Sequence, residues 1–331
     1  MTIKAYAAKR LLLIIPTVVV VSFIVFIVVH HSIGNFIYAF VNPSDPETIM
    51  YVRSLYRVDQ PCYIQYFYWL KQIVSGNFGL SPWTGKNFSN TLLSAIPYTL
   101  SYHVVVLALS MVIGVPFGVV CAVKKYSKSS SFIMKLSFVC RSCPVVLLGP
   151  VIILVCAQIV GWLPEGGAHS AIYSGDTIVH TVGYYMDFLK HLVLPVFTLT
   201  IIGAAYIAHC TKSSMSAALQ KKYINTLQSH GLPENTIIHH VLRSAFPPVV
   251  KALGSMSVAM LGAAPLIESI FKWPGLGKYF LYSMLFHEQF VVLGTIFLLG
   301  MLIVIVHAVC DIFFVWLNPV DRGPFFKDFS L

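Results

Sequence analysis

The sequence predicts an all-α, polytopic membrane protein with six transmembrane helices and a helical loop on the outer side after the first helix. Three observations support this fold class. The 331 residues are 57% hydrophobic and only 10% charged, the mean hydropathy is +0.79, and six long apolar runs follow one another along the chain. An average soluble domain carries about 25% charged residues. So few charges cannot cover a soluble protein of this size, which excludes soluble enzymes, disordered chains and fibrous repeats.

A membrane-spanning helix needs about 20 mostly apolar residues, and six segments meet this requirement. They are Leu11–Val29, Tyr98–Val123, Phe132–Val160, His191–Cys210, Lys251–Phe271 and Phe290–Leu317. The third contains Pro144, where we expect a kink. The fourth and fifth contain Pro195 and Pro265, which a membrane helix tolerates because neighbouring groups in a bundle can satisfy the freed carbonyls. No small-residue cleavage site follows the first run, so we interpret it as an uncleaved helix rather than a signal peptide.

Charge distribution predicts the topology. Six spans place both termini on one side, and basic residues are more frequent in the segments that this arrangement assigns to the cytoplasm. We therefore attribute the net charge of +10 to topology and expect no nucleic-acid partner.

The spans divide the chain into four parts. Residues 1–29 form a tail and the first helix, residues 30–97 an outer loop, residues 98–317 a five-helix core that includes an inner loop at 211–250, and residues 318–331 a C-terminal tail. In the outer loop, spacing predicts an amphipathic helix over Asp45–Lys71 and a helix over Tyr63–Val74 that Gly76–Gly79 ends.

The inner loop carries a helix–cap–helix pattern. We predict a helix over Lys212–Ser229, a cap at Gly231, and a second helix that Pro233 begins and Pro247-Pro248 ends. Ile237, Ile238, Val241 and Leu242 form one apolar stripe on this second helix. Spacing alone leaves two interpretations open, namely a helix lying in the lipid interface and a helix inserted into the groove of a soluble partner.

Two stretches resemble a known family of membrane proteins. The first has Gly231-Leu232 followed by His240-x-Leu242-Arg243-x-Ala245, and the second runs from Glu268 through Trp273-Pro274-Gly275-Leu276-Gly277. Asp59-Gln60-Pro61, Gly161-Trp162-Leu163-Pro164 and Asn318-Pro319 with Arg322 also fit. Together they resemble the permeases of ABC importers, in the dipeptide/oligopeptide/nickel subfamily.

The resemblance implies a type I ABC importer permease fold in the bacterial cytoplasmic (inner) membrane. Such a chain forms half of a pathway that imports short peptides by alternating access. Its partners are a second permease, two ATP-binding subunits and an extracytoplasmic solute-binding protein. ATP and Mg belong to the ATPases, since this chain has no G-x-x-x-x-G-K-[S/T] loop, so no cofactor is expected on it.

The resemblance also assigns roles to residues. It implies that the ATPases are contacted by seven residues, namely Thr226, Gly231, Leu232, His240, Leu242, Arg243 and Ala245. It also implies that a structural turn near a gate is formed by Glu268, Trp273, Pro274, Gly275 and Gly277. For Glu268 we expect a hydrogen bond to that turn, with gating as the alternative.

Some features depart from the family pattern or leave alternatives open. Thr226-Leu-Gln-Ser-His-Gly231 replaces the family's Thr-Ala-Arg-Ala-Lys-Gly, so the details of the docking surface differ. Arg141 lies within the third span, where it either extends to the inner interface or lines a pathway.

The cargo could instead be nickel or a metal chelate, and the chain could act as an ATP-independent channel or proton-coupled carrier. The histidine and cysteine spacing predicts no metal site.

Overall fold

The computed structural model describes residues 3–32, 59–78, 88–170, 182–286 and 288–317, together with Met50 and Arg57. These residues are almost entirely helical. The long helices and their connectors are α1 (Ile3–Ser32), α2 (Cys62–Val74), α3 (Ser89–Val123), α4 (Lys128–Ser142), α5 (Val145–Ile153, continued by a π-helical stretch Leu154–Ile159), α6 (Val182–Leu219), α7 (Lys222–Ser229), α8 (Glu234–Gly262), α9 (Ala264–Ile270), α10 (Leu276–Leu285) and α11 (Gln289–Leu317).

Five helices are long and apolar enough to cross a membrane, namely α1, α3, α6, α8 and α11. The pair formed by α4 and α5 with its π-helical continuation passes the same test as one broken span, which brings the number in the described residues up to six. The predicted six-span architecture is therefore confirmed. Several helices extend beyond their apolar runs: α3 begins at Ser89, and α6 reaches from Val182 to Leu219.

The third span is broken rather than kinked. Its two halves meet at an angle of 99° across Cys143 and Pro144. Proline lacks the amide hydrogen that would continue the helix, and it drives the preceding residue into extended backbone. Cys143 indeed has ψ 120°, and the Pro144 carbonyl accepts from the amides of Leu147 and Leu148 to begin α5. The prediction of one continuous helix with a kink was wrong.

The inner loop is mostly helical, and its predicted boundaries need correction. The helix expected over Lys212–Ser229 is interrupted at Gln220 and Lys221. Pro247 and Pro248 do not end the second helix, because both lie inside α8, which continues to Gly262. The carbonyls that lose their helical donors are those of Arg243 and Ser244, two exposed residues whose carbonyl groups water can solvate. Val249 and Val250, both at least 99% buried, hold the helix in place beyond the prolines.

The fifth span also ends earlier than its apolar run. The helix α8 stops at Gly262, and a new short helix, α9, begins at Ala264. Pro265 lies in the first turn of α9, where a missing amide hydrogen costs nothing. Pro265 therefore marks the start of a helix and not a kink within one, so the expected span Lys251–Phe271 was wrong at both ends.

The described residues form two compact units. One holds those of Met1–Leu11, Ser101–Leu261 and Ile305–Leu331, and the other holds those of Leu12–Leu100 and Gly262–Val304. In the second unit, α2 confirms the predicted helix over Tyr63–Val74, and it packs on α1. The Tyr66 hydroxyl donates to the Val19 carbonyl over 3.0 Å, and the Trp69 ring lies 5.7 Å from that of Phe26.

In the first unit, the N-terminal end of α1 is joined to the C-terminal end of α11 by charge. Arg10 forms a salt bridge with Asp311, and its guanidinium lies 3.2 Å from Nδ1 of His307. Asp311 therefore has a partner within the chain.

Some sequence predictions fall on residues outside the described ranges. The first is the part of the predicted amphipathic helix that runs from residue 45 to residue 58, except Met50 and Arg57. The second is the C-terminal tail 318–331, which contains Asn318, Pro319 and Arg322.

Helix packing in the first unit depends on glycine, and this gives a stability test. A Cβ on Gly118 of α3 would lie 2.5 Å from Cβ of Thr211 and 2.7 Å from the Ala208 carbonyl oxygen, both in α6. We expect Gly118→Ala to cost about 1–3 kcal/mol of overpacking, more than the gain of about 1 kcal/mol in helix propensity. The matched control is Gly300→Ala in α11, where nothing lies within 4 Å. Thermal unfolding in detergent should show a lower midpoint for Gly118→Ala alone, and equal midpoints would contradict the packing.

Candidate functional site

The coupling segment, defined here as residues 222–245, contains α7 and the first turns of α8. Lys221 precedes α7 with extended backbone, and Gly231 follows it with φ +71°. The amide of Gly231 donates to the Gln228 carbonyl over 2.9 Å, and that of Leu232 reaches the Leu227 carbonyl over 3.4 Å. This pattern is a left-handed helix cap, a conformation that glycine adopts without steric cost. The predicted cap at Gly231 is confirmed.

The coupling segment is held by an apolar cluster, which we call the coupling cluster. Its buried members come from α3, α6, α7 and α8: Ala122, Met215, Ala218, Ile224, Ile237, Val241 and Ala245. Leu232, Ile238 and Leu242 pack against it and are partly buried. The apolar stripe predicted on α8 therefore faces the chain's own helices. Ile237 and Val241 are already covered, so the stripe itself is not free to contact a partner, and the insertion of this helix into a partner's groove stays a prediction.

The structure sorts the seven residues assigned to ATPase contact by exposure. Ala245 is 98% buried, and Leu232 and Leu242 are half-buried in the coupling cluster. The other four, Thr226, Gly231, His240 and Arg243, are exposed. Their exposed neighbours include Lys222, Gln228 and His239, so the free surface of the segment is polar and basic. A contact with another subunit would be made by this face.

A second group of predicted residues forms a locked turn between α9 and α10. The Glu268 carboxylate is completely buried. Its Oε1 accepts from the Thr99 hydroxyl over 2.8 Å, and its Oε2 accepts from the Lys278 amide over 3.0 Å. The Thr99 hydroxyl in turn accepts from the Leu276 amide over 2.9 Å. One buried acid thus fixes the first turn of α10 to α3 and α9.

The Trp-Pro-Gly-Leu-Gly residues fit closely around this acid. Trp273 is 99% buried, and its Nε1 donates to the Tyr98 carbonyl over 2.9 Å. A Cβ on Gly275 would overlap the Glu268 carboxyl group, and one on Gly277 would lie 2.5 Å from the Ala264 carbonyl carbon. Pro274 is half-buried between them. The glycines are therefore required by close approach, since neither has a positive φ.

The sequence did not indicate the other half of this turn. Tyr98 and Thr99 lie 169 or more residues before their partners, and no motif or periodicity marks them. Burial also raises the pKa of the Tyr279 phenol in α10, so this neighbour adds no charge near neutral pH.

Neither group has the composition of a catalytic or metal centre. Within the described ranges, no three histidine, cysteine, aspartate or glutamate side chains are placed to hold a metal ion. The coupling segment instead has an exposed polar face above a buried apolar cluster. The turn between α9 and α10 is held by a buried glutamate.

Comparison with known proteins identifies relatives over nearly the whole chain. The family described as "binding-protein-dependent transport system inner membrane component" matches residues 114–320. The oligopeptide transport system permease protein AppB of Bacillus subtilis (strain 168) is 30% identical over 319 residues, covering 95% of this chain and 98% of the relative. The di/tripeptide transport system permease protein DppB of Pseudomonas aeruginosa (strain UCBPP-PA14) is 29% identical, covering 96% and 98%. The glutathione transport system permease protein GsiC of Escherichia coli (strain K12) is also 29% identical, with the same coverage.

Solved structures agree on the fold. A chain of the MetNI methionine ABC transporter, in an inward-facing conformation, superimposes with a TM-score of 0.55. The match covers 70% of this chain and 98% of that one, at 20% sequence identity. This similarity concerns the fold, and it agrees with the ABC importer permease fold expected from the sequence.

The buried acid gives a second stability test. Thr99→Val keeps the shape of the side chain but leaves a Glu268 oxygen and the Leu276 amide without their shared partner. We expect a loss of about 1–3 kcal/mol, seen as a lower thermal midpoint of the purified protein. Ser94→Ala is the matched control, because the Ser94 hydroxyl lies on the exposed side of the same helix and only contacts the Thr91 carbonyl. Equal midpoints for the two variants would show that the Thr99 bridge does not hold the turn.

Proposed function

The chain belongs to the family of binding-protein-dependent transport system inner membrane components, the permeases of ABC importers, and we propose that it forms half of a pathway for short peptides. The observation that carries the cargo proposal is its near full-length similarity to oligopeptide and di/tripeptide permeases. As a multi-pass component of the inner membrane, the chain belongs to a system in which other subunits hydrolyse ATP.

We propose that the complete system contains a second permease, two ATP-binding subunits that hold ATP and Mg, and an extracytoplasmic solute-binding protein. Both termini and the coupling segment would then lie in the cytoplasm, in agreement with the excess of basic residues there. The exposed face with Thr226, Gly231, His240 and Arg243 would contact an ATPase. Leu232, Leu242 and Ala245 would support that face from within the coupling cluster.

The geometry supports transmission of motion from this face. Since α7 and the start of α8 share one apolar cluster with the ends of α3 and α6, a displacement of the exposed face moves these helix ends together. The helix α8 is continuous over 29 residues, or about 43 Å at 1.5 Å per residue, despite its two prolines. Closure of an ATPase dimer could therefore act on the membrane helices as a rigid-body switch.

The exposed face can be tested without disturbing the fold. Arg243→Glu reverses the charge of an exposed side chain in the coupling segment. We expect peptide-stimulated ATP hydrolysis by the reconstituted complex to fall about tenfold or more, with the amount of inserted protein unchanged. Lys71→Glu on the exposed side of α2 is the matched control, since it makes the same charge change far from the coupling segment in sequence. Normal stimulation in Arg243→Glu would remove this face from the ATPase contact.

The cargo can be tested by transport. Membrane vesicles containing the full system should take up labelled dipeptides in an ATP-dependent manner, and deletion of this chain should abolish that uptake. Labelled nickel serves as the alternative cargo, and its uptake without peptide uptake would overturn the peptide proposal. Liposomes with the purified chain alone should show no flux of either. Flux without ATP would favour a channel or proton-coupled carrier.

A further inference from the structure

A cavity opens between α3, α4 and α6 in the first unit, and none of the residues assigned a role above lines it. Its volume is about 250 Å³. Six large apolar side chains form most of its walls, namely Ile113, Phe117, Ile133, Leu136, Phe197 and Ile201. Of these, Phe117, Leu136 and Phe197 are about half exposed. The cavity is therefore open to the surface of the chain rather than enclosed within it.

The lining of the cavity is small and almost entirely apolar on the side of α6. That wall is formed in part by three alanines, Ala204, Ala205 and Ala208. The polar members of the lining are Ser137, Cys140 and Thr200, and none of them carries a charge. Because a cavity of this composition offers water few hydrogen bonds, hydrocarbon is the occupant that it favours.

The position of the cavity along the helices matches one leaflet of a membrane. The helix α4 begins at Lys128, and Ile133 and Cys140 follow it by five and twelve residues. This wall therefore extends from about 8 Å to about 18 Å from the start of the helix. Half of the hydrocarbon core of a bilayer is about 15 Å thick. The excess of basic residues assigns this end of the helices to the cytoplasm, so the matching leaflet is the inner one.

The turn between α3 and α4 is fixed next to the cavity. The Ser127 hydroxyl caps α4 by accepting from the Ser130 amide over 3.0 Å, and the Ser130 hydroxyl donates to the Cys121 carbonyl of α3 over 3.2 Å. Cys121 and Ala208 belong to one buried cluster, against which Ile133 packs. Since Ile133 and Ala208 also line the cavity, the turn lies beside that end of it.

Basic side chains flank the same end of the cavity. Lys124, Lys125 and Lys128 lie in the turn or at its borders, and all three are exposed. On α6, the half-buried Lys212 is four residues beyond Ala208 and therefore on the same face of the helix. No salt bridge to these four lysines is present in the part of the chain that the structure describes, and α3, α4 and α5 contain no aspartate or glutamate. The chain thus leaves their positive charge without an acidic partner.

We propose that an anionic phospholipid of the inner leaflet binds here, with one acyl chain in the cavity and its phosphate at the lysines of the α3–α4 turn. An apolar cavity at the depth of acyl chains, with unpaired cations at its surface end, matches both parts of such a lipid. Lysine suits this contact because its long apolar stem can follow the protein surface while its ammonium group reaches the headgroup. The inference goes beyond the proposed function, since the site does not depend on the cargo.

Photo-crosslinking in the assembled transporter tests the site. The complex is reconstituted with a phosphatidylglycerol that carries a diazirine in one acyl chain, and labelled peptides are identified by mass spectrometry. We expect residues 133–140 and 197–208 to be labelled about fivefold more than with the matching phosphatidylcholine probe. Equal labelling by the two probes would overturn the proposal. So would the absence of label from both segments, because another subunit would then cover the cavity.

A substitution that fills the cavity tests where the acyl chain lies. Ser137→Trp places a large ring in the cavity from α4, and it should reduce labelling of residues 197–208 to the level of the phosphatidylcholine probe. The matched control is Phe138→Trp, because Phe138 is exposed on the same helix and does not line the cavity. Unchanged labelling in Ser137→Trp would show that the acyl chain lies elsewhere.

The headgroup contact is tested separately, so the proposal stays testable if Ser137→Trp fails to fold. One triple variant replaces the exposed lysines of the turn, as Lys124→Gln, Lys125→Gln and Lys128→Gln. The control removes the same charge from exposed positions elsewhere, as Lys71→Gln, Lys190→Gln and Lys251→Gln. The first should abolish the preference for phosphatidylglycerol over phosphatidylcholine, and the control should keep it. Equal effects of the two triple variants would reject the headgroup contact and with it the proposal.

A hydrophobic cargo peptide is the alternative occupant, and competition distinguishes it from a lipid. Unlabelled phosphatidylglycerol should displace the probe, and an excess of trileucine should not. Displacement by trileucine would assign the cavity to the transport pathway and overturn the lipid site. If the same vesicles import no peptide, the proposed cargo fails, whereas the labelling result still decides the lipid site.

Discussion

Burial of the coupling cluster determines which side chains of the coupling segment are free to meet another protein. Ile224, Ile237 and Val241 point into the chain, and each buried aliphatic side chain of this kind contributes about 1.5–3 kcal/mol. The polar residues between them are thereby held outward. Because the same cluster includes Ala122 and Met215, the short helix α7 cannot move without the ends of the long helices α3 and α6. The segment is thus a rigid part of the first unit rather than a flexible loop.

The turn around Glu268 is held differently, by a buried polar side chain in place of buried hydrocarbon. An unpartnered buried carboxylate would be strongly destabilising, so the hydroxyl of Thr99 and the amide of Lys278 are essential to it. The absence of side chains at Gly275 and Gly277 lets the backbone come close enough for these bonds. A hydrogen-bonded acid of this kind fixes one geometry more narrowly than apolar packing does, and this suits a turn that must keep its shape.

The spans could be predicted from sequence because the requirement for about 20 apolar residues is local. The effect of each proline on its helix could not be predicted in the same way. Pro144 breaks a helix, Pro195 and Pro247 lie inside helices, and Pro265 begins one. The outcome depends on whether distant residues bury the flanking turns and whether the freed carbonyls meet water or another donor. Neither condition can be inferred from the residues that flank a proline in the sequence.

The same limit applied to the candidate site. The cap at Gly231 was predictable because its hydrogen bonds join residues only a few positions apart. Periodicity identified the apolar stripe on α8 but not what covers it, and the covering helices come from far along the chain. Thr99 could not be found at all, since its role depends on Glu268, 169 residues later.

Two arginines of the first unit, Arg10 and Arg141, differ in whether the chain supplies a partner for their charge. Arg10 has Asp311 and His307 beside it, so its charge is neutralised within the chain and joins the two terminal helices. Arg141 of α4 is exposed, and no ion pair with it is present among the residues that the structure describes. Keeping such a cation near the membrane without a counter-ion is unfavourable unless water or an anion compensates for it during the working cycle.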